Sequence, residues 1–460
     1  MFSQTLADIR FGLGRSPLIA PPQNVDDILS KLVGFDYDGV DFPIPMFAAA
    51  YPSLFDIQNA GRLRTSAQKA GDEALLAQYI ADLDRLGDVA AELGWQNWRA
   101  SHARSVNGRD GFRERLMRFW SDHFTVRANQ ANVRHLIDPY MEEAIRPHVA
   151  GKFVDMLWAA ATHPVMLLYL DQYKSVGPNS HIGKTQNRGL NENLARELLE
   201  LHTVGVNAAY TQDDVRQLAE LLTGLYYRPS EGMVYVDRMA EPGAETVLGV
   251  TYAAASDLSV VRDFIEDIAV HPSTAHHMAT KLAVHFVSDT PDPDLVAVME
   301  QRFNETGGDL LAVYEAMFAH PSAWDPQLHK VKIPFGFVCS SFRAMGVPTE
   351  FVMEMSVRNI RQKFERHLRV MGQDYRAPVG PDGIAEEAER WATPQGMAGR
   401  INWAMRVPSQ LLDSLPDPRD LVHAALGEYA TDEIVFAAGA AEDRAVGIGV
   451  ILASAAFQRR

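Results

Sequence analysis

Apolar residues recur every three or four positions along most of the 460-residue chain, the spacing of one helix face. Asn24 precedes VDDILSKLV, whose acidic first turn is typical of a helix start. The same spacing predicts a helix over 66–93 and further helices to the end of the sequence. The period-two alternation of strands is convincing only around 232–252, where MVYVD and ETVLGVTY flank RMAEPGA.

This pattern predicts a mainly α protein, a single large multi-helix domain spanning residues 1–460. A small β-hairpin insertion is expected at 232–252. A Pro/Gly-rich excursion is expected at 377–396, where APVGPDGIAEEAERWATPQG interrupts the helical spacing. Neither an internal repeat nor a linker forces a domain boundary.

The segment 191–224 carries the densest polar chemistry inside a helical pattern. At 100° per residue, Asn193, Arg196, Glu197 and Glu200 share one narrow stripe, and the rest of the circumference is mostly leucine, alanine or histidine. The sequence therefore predicts a largely buried helix with a carboxylate pair on its only polar edge. Thr211 then begins a second helix with a capping-box pattern.

The carboxylates of Glu197 and Glu200 lie one above the other on such a helix and repel unless a cation, a metal or a shared proton stabilises them. One interpretation is an acid/base pair, or a hard divalent metal site with Asn193 as an oxygen ligand. Another is a structural network that pairs the carboxylates with a cation, and a third is an exposed, solvated helix face. Candidate cations are Arg196 on the same stripe and, from elsewhere, Arg188, Lys281 and Arg343.

Two further residues are candidates for the same site. His123 ends an aromatic-rich helix within FWSDHF, and Asp171 ends the apolar run VMLLYLD, where a buried carboxylate needs a partner. If the fold brings both to the 191–200 edge, they form a polar pocket, with Asn191, Asn193 and Arg196 as substrate contacts. Otherwise they are unrelated local caps.

Familiar catalytic motifs are absent from the sequence. It contains no Glu-x-x-His pair for a di-iron bundle, no His-Glu-x-x-His zinc motif and no Gly-x-Ser-x-Gly elbow. It also lacks a P-loop and any nucleotide, haem or iron–sulfur signal. A hard divalent metal is the one cofactor class left open.

Composition and net charge limit the classes of binding partner that the sequence favours. The 43 basic and 59 acidic residues give a net charge of −16, which disfavours nucleic acid and anionic membranes. No apolar run is long enough to span a bilayer, and the N-terminus lacks a signal-peptide pattern. The single cysteine, Cys339, excludes an intramolecular disulfide. We therefore expect a soluble protein, with the cytoplasm favoured over a disulfide-free periplasmic location.

NENLARELLELHTVGV followed by YTQDDVRQLAELLTG resembles the signature of a bacterial family known as domain of unknown function 1800 (DUF1800). FWSDHF, HPVMLLYLD and KVKIPFGFVCSSFRAMG extend the resemblance in order along nearly the whole chain. Two elements depart from the family pattern. The hairpin reads MAEPGAETVLG in place of a His-Asp…Gly…Lys element, and the late excursion reads Gly383-Ile384-Ala385 in place of Gly-Trp-Pro.

The resemblance implies a mostly helical bacterial protein without an established reaction. Family members often accompany sulfatase-like proteins and often carry export signals, which suggests a cell-envelope or extracellular polymer as substrate. The first hypothesis is thus a hydrolase or lyase that uses Glu197 and Glu200, with His123 and Asp171 in support. The second is a non-catalytic binding or assembly protein that works with a sulfatase-like partner, in which the same residues only hold helices together.

Overall fold

Residues 1–127, 131–254, 257–375 and 377–460 are described by a computed structural model. Helices dominate it, and its strands form two small antiparallel pairs, which confirms the mainly α fold class. Within these ranges, no helix is both long and apolar enough to cross a membrane.

Two hydrophobic cores organise the molecule. The first core is built by helices before residue 330; its main helices are Val25–Val33, Gly111–His123, Ile137–Ala144, Phe153–Ala161, Pro164–Tyr169, Gln212–Leu221, Ser259–Ala269, Pro272–Phe286, Pro293–Thr306 and Leu310–Ala319. The second core is built mainly by later helices; these are Pro334–Ala344, Thr349–Met353, Arg366–Val370, Pro394–Arg406, Pro408–Leu411, Pro418–Leu426, Asp432–Gly439, Arg444–Ala453 and Ala455–Gln458.

The predicted helix over 66–93 is instead parts of two helices, Leu54–Ala70 and Glu73–Asn107. Gly71, at a φ of 69°, ends the first in the left-handed conformation that glycine adopts without strain. Asp72 caps the second by accepting a hydrogen bond from the Leu75 amide. The Ala- and Leu-rich pattern on both sides concealed this break.

The β segments pair differently from a single hairpin across RMAEPGA. Strand β1 (Leu225–Arg228) pairs with β2 (Gly232–Tyr235), and β3 (Glu245–Val247) pairs with β4 (Val250–Tyr252). Each half of the predicted insertion thus belongs to its own tight hairpin, and the first hairpin begins before residue 232.

Local helix signals near the signature segment are confirmed. Asn24 accepts a hydrogen bond from the Asp27 amide, and Thr211 forms a reciprocal capping box with Asp214. The signature segment itself is α-helical over Asn193–Glu197 and then widens to a π-turn over Leu198–His202; we call Asn193–His202 the signature helix. Such π-bulges occur often at functional sites.

Candidate functional site

The polar edge of the signature helix is held mainly by local contacts. The Arg196 guanidinium lies 3.2 Å from Glu200 and 3.3 Å from Glu192, each four residues away. It also donates a hydrogen bond to the side chain of Gln212 at 3.0 Å. Since 38 % of the Arg196 side chain is exposed, this edge faces solvent and is only partly covered.

Glu197 lies on the same edge but is not part of this network. In the described part of the chain, its carboxylate makes no hydrogen bond and no ion pair, although the side chain is half-buried. Burial and then the neighbouring Glu200 carboxylate raise the pKa of Glu197 to about 7. The two glutamates predicted as a pair therefore have different environments.

The asparagines shape the start of the signature helix. Asn191 accepts a hydrogen bond from the Asn193 amide at 2.9 Å, an Asx turn that leads the chain into the helix. The Asn191 amide donates to the Ser175 hydroxyl at 3.0 Å. Asn193 is exposed at the rim of this edge, so its side chain is available to a molecule from outside.

Asp171 lies in a turn, with a φ of 58°. Its carboxylate pairs with Lys174 at 2.8 Å, and 37 % of its side chain is exposed. The described contacts do not bring Asp171 to His123 or to the signature helix.

His123 does reach the signature helix. Its Nε2–H donates to the carbonyl of His202 at 3.2 Å, while its Nδ1 accepts a hydrogen bond from the Lys281 ammonium at 3.0 Å. The ring is 3 % exposed. Burial and then Lys281 depress the pKa of His123 well below its usual value, so the ring is neutral.

Two more histidines surround this contact. The ring centres of His202 and His277 lie 5.9 Å and 6.4 Å from that of His123. Burial lowers the pKa of His202 to about 3 and that of His277 to about 4. The three histidines are therefore neutral at pH 7, and Lys281 is the cation at the centre of this group.

Lys281 faces carboxylates from two other parts of the chain. Burial lowers its pKa, while the charges of Asp122, Glu386 and Asp382 oppose that shift. Asp382 also raises the pKa of Glu197, so it links the Lys281 environment to the signature helix.

Asp122 anchors the Pro/Gly-rich excursion. Its two carboxylate oxygens accept from the Ile384 amide at 3.1 and 3.0 Å. Burial raises the pKa of Asp122 to about 7, and the charge of Glu386 adds to the shift. The excursion thus closes over the C-terminal end of the helix Gly111–His123.

Glu386 binds groups from one distant helix, from the segment before the helix Pro334–Ala344 and from the C-terminal segment. It accepts a short hydrogen bond from Nδ1 of His285 and lies 3.4 Å from Lys330 and 3.5 Å from Arg460. Lys330 and Arg460 are almost fully buried. We call Asp122, Lys281 and Glu386, with the histidines bound to them, the interhelical cluster.

A cleft of about 140 Å³ opens beside the interhelical cluster, between the two cores. Its apolar wall combines Met117 and Phe119 of the first core with Phe335 of the second. Asp122 and Glu386 line the cleft, whereas Glu197 and Glu200 do not. A mostly apolar pocket with a few converging polar groups is the usual form of a ligand site.

Sequence analysis found part of this arrangement. It singled out His123 and Glu197 and named Lys281 as one of several candidate cations for the glutamates; the structure places the Lys281 ammonium on His123. It missed Asp122 and Glu386 as site residues. Asp122 is adjacent to His123 in FWSDHF, a signal that could have been used; nothing local marks Glu386.

The carboxyl groups of this arrangement can take part in proton transfer. Among the described residues, no group of three or more His, Cys, Asp or Glu side chains is placed to hold a metal ion. Carboxyl groups whose pKa lies near 7 exchange protons readily at neutral pH.

One comparison assigns this helical protein, with its signature helix and interhelical cluster, to a class of proteins. A family model described as protein of unknown function (DUF1800) matches residues 46–459, and the chain belongs to that family. Neither a curated protein nor a solved structure matches the chain.

Proposed function

We propose that this protein is an enzyme, a hydrolase or lyase that works by general acid–base catalysis with Glu197 and Asp122. The observation that carries the proposal is the condition of Glu197. It is half-buried and forms no ion pair with any residue that the structure describes, whereas its neighbour Glu200 is held by Arg196. Perturbed carboxyls of this kind concentrate at catalytic sites.

Glu197 lies outside the cleft that Asp122 lines, but the charge of Asp382 acts on both carboxyls, so the two divide the work at the mouth of the cleft. A protonated Glu197 donates its proton to a leaving oxygen, and ionised Asp122 accepts a proton from water or from a substrate carbon. Lys281 sets the balance, because its positive charge favours ionised Asp122 and opposes the effect of burial. His123 positions the Lys281 amine and does not carry the proton, since both of its ring nitrogens are engaged.

The rim residues supply the contacts to the substrate. Asn193 is exposed, and Arg196 presents a partly exposed guanidinium beside Glu197. These two side chains are placed to contact a long molecule that lies across the protein surface. They are less suited to a small molecule enclosed inside the protein. A cell-envelope or extracellular polymer is the substrate class that the family resemblance suggests.

A second candidate function is non-catalytic assembly with a sulfatase-like partner. The observation that favours it is the closed network of Arg196, Glu192, Glu200 and Gln212, which ties the signature helix to the next helix as a scaffold would.

Polymer degradation tests the proposal directly. The purified protein is incubated with a panel of envelope and extracellular polysaccharides. New reducing ends report hydrolysis, and the ultraviolet absorbance of an unsaturated product reports lyase action. We expect Glu197→Gln and Asp122→Asn each to lower the rate by about 10²-fold or more. Glu192→Gln, a change on the same edge, is the matched control and keeps the rate.

Two outcomes contradict the enzyme proposal. One is full activity in both carboxyl variants. The other is binding of a polymer without release of product, which would favour the assembly function.

A further inference from the structure

The cleft between the two cores contains an arginine that forms no ion pair with a carboxylate of the described residues. Arg118 lines the cleft, and its Nη2 donates to the hydroxyls of Ser105 and Ser101 at 2.8 and 3.0 Å and to the Ser101 carbonyl at 3.3 Å. Its guanidinium lies 4.1 Å from the centre of the Phe335 ring. Within the described ranges it forms no ion pair, although it is half-buried.

The other arginines lining the cleft are paired. Arg146 lies 2.8 Å from Glu114, and Arg104 pairs with Glu142. Two carboxylates of the cleft likewise have their own cations: Glu386 has Lys330 and Arg460, and Asp374 has Arg369. Asp122 is bound instead by the Ile384 amide. Among the described residues, the Arg118 guanidinium is therefore a positive charge without an ion-pair partner, and two serines and an aromatic ring hold it in one orientation.

A buried arginine lies behind the wall of the cleft. Arg115 is 5 % exposed and donates to Nε2 of His285, which itself lines the cleft. A negatively charged group in the cleft thus meets Arg118 directly and is also attracted by the Arg115 guanidinium behind His285.

A second groove adjoins the cleft. Its volume is about 500 Å³, and it shares Ile137 and Tyr375 with the cleft. Trp95 lines this groove and is half-buried, with the Arg361 guanidinium 5.0 Å from its ring centre. The accessible part of an aromatic ring beside an arginine can stack on a sugar ring, and the arginine can hold the charged substituent of that sugar.

We infer that the cleft binds the anionic group of an acidic polysaccharide on Arg118, and that the adjoining sugar units run through the groove along Trp95. This inference names the substrate class of the proposed enzyme and rests on that function. The single fixed guanidinium matches a sparsely charged chain. The net charge of −16 disfavours a nucleic acid, which carries a charge on every unit.

Binding measurements test the inference without turnover. Isothermal titration calorimetry compares the full chain with a hyaluronan oligosaccharide, which carries a carboxylate only on every second sugar, a keratan sulfate oligosaccharide, a neutral cello-oligosaccharide and a single-stranded DNA oligomer. We expect at least one acidic oligosaccharide to bind about tenfold or more tightly than the neutral one. The carboxylate and sulfate probes distinguish the two sources of negative charge.

Variants locate the binding. Arg118→Gln should weaken the acidic probe by about tenfold or more, and Arg118→Lys by less, because lysine keeps the charge but not the planar fork. Trp95→Ala, in the groove, should also weaken it, and it keeps the test decisive if Arg118→Gln fails to fold. Arg302→Gln is the control. Arg302 is partly exposed and paired with Glu305 on the helix Pro293–Thr306, away from the cleft lining, so the variant should bind as the wild type does.

The inference is overturned if no acidic probe binds, if the neutral chain or DNA binds equally well, or if binding survives both Arg118→Gln and Trp95→Ala. Glu197→Gln separates this result from the proposed chemistry. We expect it to bind the acidic probe normally, so a loss of turnover with retained binding concerns catalysis alone.

Discussion

The edge of the signature helix and the interhelical cluster both pair glutamate with basic side chains. The pairs on the edge are local and partly exposed, whereas those in the cluster join distant segments and are more deeply buried. On the edge, Arg196 reaches carboxylates four residues away on either side, and all three side chains are partly exposed. In the cluster, Glu386 is bound by His285 and Lys330, which are 101 and 56 residues away. The first contact stabilises one helix, and the second joins separate parts of the fold.

This difference predicts unequal energies. Exposed pairs gain little, since water screens them and ordering two long side chains costs entropy. Removing one partner of a buried pair leaves an uncompensated charge, which costs far more. Carboxylates that look equivalent in the sequence should therefore respond very differently to mutation.

The largest effect is expected for Glu386→Gln. It leaves the buried Lys330 and Arg460 short of negative charge, and we expect a loss of about 3–5 kcal/mol in the free energy of unfolding. Glu200→Gln, the matched change on the exposed edge, should cost less than about 1 kcal/mol. Urea denaturation of both variants measures the difference, and equal losses would refute the comparison.

The next effect concerns the excursion that covers Asp122. Gly383 has a φ of 78°, and a Cβ there would lie 2.6 Å from the Asp122 carboxylate. Gly372→Ala is the control, because Gly372 has a φ of 100° and open space around it. Both changes strain the backbone, but only Gly383→Ala also displaces Asp122, so we expect it to cost about 2 kcal/mol more. Thermal unfolding at neutral pH compares them; similar losses would mean that the excursion yields without disturbing Asp122.

These two regions also mark what the sequence could predict. Helix caps at Asn24 and Thr211 depend on residues three positions apart, and both are confirmed. The polar edge of the signature helix follows from helical periodicity in the same way. The break at Gly71 was missed because the apolar pattern continues across it.

The interhelical cluster could not be predicted from spacing. His123 meets Lys281 across 158 residues, and Asp122 meets Ile384 across 262. Such pairings depend on how helices pack, which periodicity alone does not determine. The sequence therefore identified one side of the candidate site, the signature helix, and not the residues that face it.

A smaller effect is expected from pH, through the histidines of the cluster. The pKa of His202 is about 3 in the fold, below its ordinary value of 6.5. Because the unfolded chain binds the proton more tightly, stability is present above pH 6.5 and is lost as the pH falls from there towards 3. Between pH 7.5 and 5.5 we expect His202 to account for a loss of about 1.4 kcal/mol.

His202→Gln tests this dependence, since it removes the titrating ring. The variant should lose less stability than the wild type between those two pH values. An unchanged slope in His202→Gln would show that the ring already has an ordinary pKa in the folded protein.

The smallest effect separates the two glutamates of the signature helix itself. Glu197 has a pKa of about 7, above that of an unfolded glutamate, so it favours the fold at low pH; that contribution is lost as the pH rises from about 4.5 to 7. At pH 8, Glu197→Gln removes a repulsive charge and should raise stability slightly, by less than about 1 kcal/mol because water reaches the side chain. At the same pH, Glu200→Gln removes the partner of Arg196 and should lower stability slightly. Thermal shifts of opposite sign would support a catalytic role for Glu197 and a structural role for Glu200. A loss of stability in both variants would indicate that Glu197 is also structural, and it would count against the enzyme proposal.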